Sequence, residues 1–259
     1  MKTLQTILAI TMLSLFSVSC SSDGDSDKDK PVLLLEKEIN STGSTNYDYD
    51  ANNKLISLED ISSGFSSYKT TFVYNSNGKI EEALIEQIGG VFPGPPTKMT
   101  YAYDAQNRLI EKKYFQGSLK NPALFDYFRS DFFEYSGNLV TFKSQKKDSN
   151  VPDSRIIYDF DNNGNIIKKT SYSQMNANNP SGLIFYTETN VYDDKLNPET
   201  SLPSEYRFPN STKNNPLKST TVMGKDTYIT DYVYEYNTKG YATKRTGTGQ
   251  TSNTYEYKK

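Results

Sequence analysis

Residues 101–112 read YAYDAQNRLIEK, and this stretch contains the pattern that decides the fold. Tyr101 and Tyr103 are two positions apart, so their rings lie on the same face of an extended strand. Asp104 can open a turn by accepting hydrogen bonds from the backbone that follows it. Asn107 tolerates the left-handed conformation that a tight reversal needs, and Leu109 restarts an apolar strand. The stretch therefore predicts a β-hairpin.

The same pattern recurs along the chain and predicts consecutive hairpins. YDYDANNKLISL starts at residue 47, FVYNSNGKIEEA at 72, YDFDNNGNIIKK at 158 and YEYNTKGYATKR at 234. These copies share Asp or Asn at the fourth position and Gly or Asn at the seventh. The predicted turn residues are Asp50 with Asn53, Asn75 with Gly78, Asp104 with Asn107, Asp161 with Gly164, and Asn237 with Gly240. Such internal repetition fixes the architecture before any single motif does.

Two further copies depart from the pattern. FEYSGNLVTF, from residue 133, shortens its turn to Ser136-Gly137-Asn138, which suits a two-residue hairpin. NVYDDKLNPE, from residue 190, has Leu196 where Gly or Asn is expected, followed by Asn197-Pro198. Proline cannot donate a ladder hydrogen bond, so we expect the sheet to break or bend here. The proline-rich stretch that continues to Asn215 is the longest irregular insertion that the sequence predicts.

The predicted fold class is all-β, an antiparallel meander of sequential hairpins in one domain, residues 31–259. Two strands per repeat give about 14 to 16 strands. So many twisted strands rarely stay flat, and we expect a strongly curved or barrel-like sheet. The first strand, Val32 to Ile39, and the last, Tyr255 to Lys258, form its edges or pair with each other.

The N-terminal residues predict export. Met1 and Lys2 give a positive start, and the apolar stretch Leu4–Val18 is typical of a signal peptide, residues 1–19. The stretch is too short for a stable membrane span, which needs about 20 apolar residues. Cys20 follows directly, and its placement resembles the lipobox of bacterial lipoproteins, although Ser17 stands where that family usually has Leu. The resemblance implies acylation of Cys20 and a durable membrane anchor, since stable anchoring takes more than one chain. An incidental cysteine after an ordinary signal peptide is the alternative.

Residues 20–30 predict a disordered acidic tether, because they contain almost nothing apolar to bury. The acid-rich stretch resembles the signal that sends some lipoproteins to the outer face of the outer membrane, which favours the cell surface over the periplasmic face. Any solvated linker would look similar, so periplasmic display stays open.

The repeated Y-x-Y-D-x-x-G-x-L pattern resembles the YD repeats of RHS-type bacterial proteins, and still more the short YD-repeat lipoproteins. The resemblance covers residues 47–259 and implies an architecture of hairpins but no activity. In large RHS proteins many dozens of repeats form a shell around a toxin, and seven hairpins are too few to close such a shell.

Composition argues against several function classes. The chain has no histidine, which removes the commonest general base and metal ligand, and its single cysteine is assigned to the anchor. Carboxylates alone can hydrolyse glycosides, but no pair is picked out by spacing. The net charge of −2 gives no electrostatic footprint for nucleic acid.

Two aspartate-rich stretches resemble calcium loops only in part. The first stretch starts at Asp23 and has Lys28 at the sixth position, where a calcium-binding loop needs Gly. The second starts at Asp159 and has Thr170 at the twelfth position, where the loop needs Glu. We therefore expect no enzyme activity, cofactor or metal.

The sequence leaves two functions open. The leading hypothesis is a non-catalytic outer-membrane lipoprotein that presents a β-rich surface to a protein or glycan partner. The alternative is a glycan-binding or glycan-processing surface lipoprotein that uses carboxylates and some of its 21 tyrosines. Most tyrosines alternate with polar residues, as the core face of a strand does, and are expected to be structural.

Overall fold

The computed structural model describes residues 33–258, apart from residues 65, 91, 93 and 122. The predicted signal peptide, the lipidation site Cys20, the tether and the domain boundary at residue 31 lie outside the described residues. Within the described part, none of the helices has the length and apolar character needed to cross a membrane.

The described residues form sixteen antiparallel strands, each hydrogen-bonded to its neighbours in sequence, and the first strand pairs with the last. The strands are β1 Leu35–Asn40, β2 Gly43–Tyr49, β3 Leu55–Ser62, β4 Ser67–Tyr74, β5 Ile80–Gly89, β6 Thr97–Tyr103, β7 Leu109–Gly117, β8 Phe125–Ser136, β9 Leu139–Lys146, β10 Ser154–Phe160, β11 Ile166–Ser173, β12 Leu183–Leu196, β13 Asn214–Met223, β14 Asp226–Tyr236, β15 Ala242–Gly247 and β16 Asn253–Tyr257. The predicted all-β meander is confirmed, and it closes into a barrel.

Closure depends on the pairing of β1 with β16. Ile39 lies opposite Thr254 and Glu38 opposite Tyr255 in an antiparallel ladder. Of the two arrangements predicted for the terminal strands, they adopt the paired one. β1 begins at Leu35, later than predicted. Because the sheet closes on itself, these strands are not edges that could pair with another chain.

Alternate hairpins of a meander turn at opposite ends, so the repeat turns all lie at one end of the barrel. We call this end the turn rim, defined by residues 50–54, 75–79, 104–108, 161–165 and 237–241, and the opposite end the far rim. The backbone N–H of Lys258 donates to the carbonyl of Leu34 at 2.9 Å. Both ends of the described chain therefore lie at the turn rim.

The two departing repeats differ in outcome. β8 and β9 are joined by Gly137 and Asn138 alone, with Gly137 at φ 57°, which is the predicted two-residue hairpin. The break or bend predicted at Asn197-Pro198 is observed, because β12 shifts its register against β13 and ends at Leu196, opposite Asn214, where the chain leaves the sheet. Leucine is unfavourable in a left-handed turn, so the strand stays extended to its end.

The segment between β12 and β13 leaves the wall and contains the two helical turns of the described chain. These are a 3₁₀ turn, Pro198–Ser201, and the single-turn α1, Ser204–Arg207. The backbone N–H of Asn197 donates to the carbonyl of Lys213 at 2.9 Å and closes the neck of the segment. We call residues 197–213 the plug. The sequence predicted this segment as irregular but did not predict that it folds into the barrel.

Candidate functional site

The predicted turn residues share one hydrogen-bond geometry. In each of the five turns the side-chain Oδ1 of the fourth residue accepts from the backbone N–H groups two and four positions later. For Asp104 the donors are Gln106, at 2.9 Å, and Arg108, at 2.9 Å. The equivalent acceptors are Asp50, Asn75, Asp161 and Asn237. The seventh residues, Asn53, Gly78, Asn107, Gly164 and Gly240, have φ of 62°, 76°, 59°, 86° and 83°.

The third residue of most repeats connects one hairpin to the hairpin before it. The hydroxyl of Tyr103 donates to the carbonyl of Ile80 at 2.7 Å, and that of Tyr135 donates to the carbonyl of Leu109 at 2.8 Å. The same contact is made by Tyr49, Tyr74, Tyr192 and Tyr257. These tyrosines brace the turn rim, so their role is structural.

The plug packs against strands on several sides of the barrel. The ring of Tyr206 meets Phe72 of β4 edge-on at 5.0 Å between centroids. The ring of Phe208 meets Phe133 of β8 edge-on, with 5.2 Å between the ring centroids. At the other end of the plug, the Ser201 hydroxyl accepts from the backbone N–H of Leu35 at 3.1 Å. A barrel of about eight strands can be filled by its own side chains, and diameter grows with strand number. A sixteen-stranded barrel is wider, and the plug fills part of its interior.

Charged groups hold the plug in place. Lys112, which is 6% exposed, donates from Nζ to the carbonyl of Phe208 at 3.0 Å. Lys79 forms an ion pair with the buried Glu205 at 2.5 Å. Burial lowers the pKa of Lys112 to about 8, while Asp131 and Glu205 act in the opposite direction. Lys112 therefore donates to a backbone carbonyl of the plug that would otherwise lack a hydrogen-bond partner. This contact fixes the plug against β7.

A cavity of 260 Å³ lies between the plug and the wall formed by β11 to β16. Its aromatic wall consists of Tyr192, Tyr232, Tyr234 and Tyr255, and its amide groups belong to Asn190, Asn197, Asn210 and Asn215. Its charged lining is formed by Lys169, Glu188, Glu199, Arg207 and Arg245. Rings with apolar faces beside convergent polar groups are typical of sites for small ligands.

The two arginines of the cavity come from different parts of the fold. Arg207 belongs to the plug, where it forms an ion pair with Glu199. Arg245 belongs to β15, opposite Tyr234, and its guanidinium lies 5.7 Å from the ring centre of Tyr232. Burial lowers the pKa of Arg207 to about 10, and the positive charge of Arg245 contributes to that lowering. Arg207 remains protonated at neutral pH, and the two guanidinium groups give the cavity a positive side.

Asn215 and Asp193 anchor the plug beside the cavity. Asn215 is 1% exposed, and its Nδ2 donates to Asp193 Oδ2 at 3.1 Å. The hydroxyl of Tyr236 also donates to Asp193. Asp193 occupies the turn-opening position of its repeat, but here it ties β12 to β13 and β14. This tie fixes the point at which the chain leaves the wall.

Sequence reasoning placed the turn residues but missed the cavity. Arg207 stands between Tyr206 and Phe208 in the insertion, and this alternation of aromatic and charged residues is a signal that could have indicated an inward-facing segment. Arg245 carried no such signal, because its position depends on barrel closure. Among the residues that the structure describes, no three His, Cys, Asp or Glu side chains group to hold a metal ion.

Comparisons with known proteins give structural likenesses alone. No family model matches the chain, and no curated protein matches it. A DUF3836 family protein from Bacteroides vulgatus is 20% identical, with a TM-score of 0.30, over 36% of this chain and 98% of that one. A porin-like protein from the same species is 11% identical, with a TM-score of 0.45, over 88% of this chain and 99% of that one. A chain of the Photorhabdus luminescens Tc holotoxin pore is 13% identical, with a TM-score of 0.30, over 79% of this chain and 12% of that one. These values are too low to transfer a function.

Proposed function

We propose that the chain is a non-catalytic lipoprotein, anchored in the outer membrane through Cys20 and displayed at the cell surface, that binds a glycan in the barrel cavity. The observation that carries the proposal is the composition of the cavity wall. Tyrosine rings offer flat apolar faces to sugar rings, and asparagine amides both donate to and accept from sugar hydroxyls. Of the two partner classes left open by the sequence, this wall favours a glycan.

The proposed anchor is compatible with the position of the chain ends. The described chain starts at the turn rim, which the plug covers at Ser201 and Leu202, beside Leu55 and Tyr74. A tether from this rim would hold the covered end towards the membrane. The far rim would then face away from it.

Binding of labelled glycans to intact cells that express the full-length protein tests the proposal. Ser219 lines the cavity, so Ser219→Phe fills it, and we expect at least about a tenfold loss of glycan binding. The matched control is Thr220→Phe, because the next residue of β13 points to the opposite face of the sheet. We expect the control to bind like the parent protein.

Each part of the proposal has its own failing outcome. Absence of binding to every glycan of a broad pool, by intact and lysed cells, would overturn glycan recognition. Binding by lysed cells alone would place the protein at the periplasmic face. Release of sugar during incubation would show that the protein is catalytic. Retention of Cys20→Ala in the membrane fraction would contradict the anchor.

Exposed apolar residues favour a second candidate, a protein partner at the far rim. Ile184 and Phe185 of β12 and Tyr228 and Ile229 of β14 are between 49% and 64% exposed. Apolar residues that cluster at a surface often mark an interaction site. Cross-linking of intact cells would support this candidate if Phe185→Asp abolished a specific adduct.

A further inference from the structure

We infer that the cavity recognises a sugar that bears one carboxylate, with Arg245 as the group that binds the carboxylate. The inference rests on the proposed glycan function and adds the chemical class of the ligand. It is drawn from the charges that line the cavity and from the partners that those charges already have.

Arg245 and Lys169 are the cations of the cavity that form no ion pair with a carboxylate among the described residues, and Arg245 is the guanidinium of the two. Among the residues that the structure describes, no acidic side chain lies within 4.0 Å of it. Its neighbour on the same strand, Lys244, forms a surface ion pair with Glu235 at 3.1 Å. A guanidinium presents parallel donors that match a planar carboxylate, and this charge-assisted pairing is stronger than a neutral hydrogen bond.

The other charges of the cavity are largely occupied within the protein. Glu199 pairs with Arg207. Glu188 accepts from the amide of Asn190 at 3.1 Å. Lys169, whose Nζ lies 5.6 Å from the ring centre of Tyr186, has no carboxylate partner among the described residues, but its ammonium is a point charge without the paired donors of a guanidinium. Three cations and two carboxylates leave one positive charge on the lining, and Glu38, which is not part of the lining, also acts on Arg207.

Apart from Oε2 of Glu199, which belongs to the ion pair with Arg207, two polar atoms of the cavity residues lack a hydrogen-bond partner within the described part of the chain. They are Nη1 of Arg207 and Oδ1 of Asn215, a donor and an acceptor. Nδ2 of Asn215 donates to Asp193, which can only accept, so the orientation of this amide is fixed. A sugar acid carries both kinds of complementary group, a carboxylate to accept and hydroxyls to donate.

The size of the cavity limits the ligand to a small unit. Pockets for drug-sized molecules have volumes of about 300–1,000 Å³. The cavity, at 260 Å³, is smaller and suits a single sugar ring, free or at the end of a chain. Its tyrosines supply the faces against which the ring can lie.

Titration calorimetry on the detergent-solubilised full-length protein tests the inference with glucuronate, glucose and glucose 6-sulfate. Glucuronate and glucose differ at one carbon, so their ratio of affinities reports the carboxylate. We expect glucuronate to bind at least about tenfold more tightly than glucose. Arg245→Met should remove this preference, so that the ratio of the two affinities falls to about one. Lys244→Met is the matched control and should keep the preference.

The outcomes separate this inference from the proposed function. Equal affinity for glucose and glucuronate would overturn the inference and leave glycan binding intact. Tighter binding of glucose 6-sulfate would overturn the carboxylate assignment. If Arg245→Met does not fold, as judged by thermal unfolding, Arg245→Lys replaces it. That variant keeps the charge but loses the paired donors, so it should weaken glucuronate binding, and an unchanged affinity for glucuronate would count against the inference.

Discussion

At the residue scale, the position within the repeat decides what each tyrosine does. Tyr101 and Tyr103 lie on the same strand, two residues apart. The hydroxyl of Tyr103 reaches the carbonyl of Ile80, whereas the buried hydroxyl of Tyr101 has no partner among the described residues. Burial raises the pKa of both phenols above the ordinary value, so both stay neutral at physiological pH.

Tyr103→Phe should therefore lower stability, whereas Tyr101→Phe should not. Loss of a hydrogen bond costs about 1 kcal/mol, so Tyr103→Phe should lower the free energy of unfolding by about that amount. Tyr101→Phe removes a buried group without a partner and should leave stability unchanged or raise it. Urea unfolding of both variants measures the difference. Equal losses would mean that the hydroxyl of Tyr103 does not brace the turn rim.

At the element scale, the plug could not be predicted from local pattern. The hairpins follow from contacts between residues that are close in sequence, such as Asp104 and Arg108, so the repeat was sufficient to predict them. The plug meets Phe72, Lys112 and Phe133, which are distant in sequence, and its short helical turns have no periodicity to detect. The cavity beside the plug also depends on contacts between residues that are distant in sequence, because its lining comes from both the plug and the wall.

The buried Lys112 makes the stability of the plug depend on pH. Its pKa is about 8 when folded and 10.5 in the ordinary state, so between these values the unfolded chain binds more protons than the folded one. The contribution of Lys112 to the free energy of unfolding should therefore rise with pH, by about 2 kcal/mol from about pH 7 to about pH 9.5, measured as the difference between the parent protein and Lys112→Met. Lys112→Met should abolish this rise. Lys113→Met, which alters an ion pair with Glu111, is the control and should preserve it. Parallel pH profiles for the parent protein and Lys112→Met would contradict the prediction.

At the scale of the whole molecule, closure turns a row of similar hairpins into one unit. From the sequence, the first and last strands could either remain as the free edges of the sheet or pair with each other. The local pattern does not decide between these arrangements, because it does not determine how far a sheet curves. Sixteen strands and the pairing of Ile39 with Thr254 settle this as a closed barrel. Curvature comes from the accumulated twist of all strands, so it belongs to no single repeat.

A disulfide across the closing pair should lock the barrel. Ile39→Cys with Thr254→Cys, in a Cys20→Ala background, should oxidise readily and raise the free energy of unfolding by about 4 kcal/mol, because it closes a very long loop. The control pairs Ile39→Cys with Lys143→Cys, on β9 across the barrel, and should stay reduced. Gel mobility and urea unfolding measure both effects. Failure of the first pair to oxidise would argue for an open sheet.

The late position of the plug has a consequence for biogenesis. If the chain is exported as proposed, translocation from its N-terminus delivers the first twelve strands before residues 197–213 emerge, and the rings of Phe72 and Phe133 then have no plug to cover them. Exposed aromatic surface of this kind makes an incomplete chain prone to aggregate. Periplasmic holdases would be needed during that interval, and maturation would finish only when the last hairpins arrive.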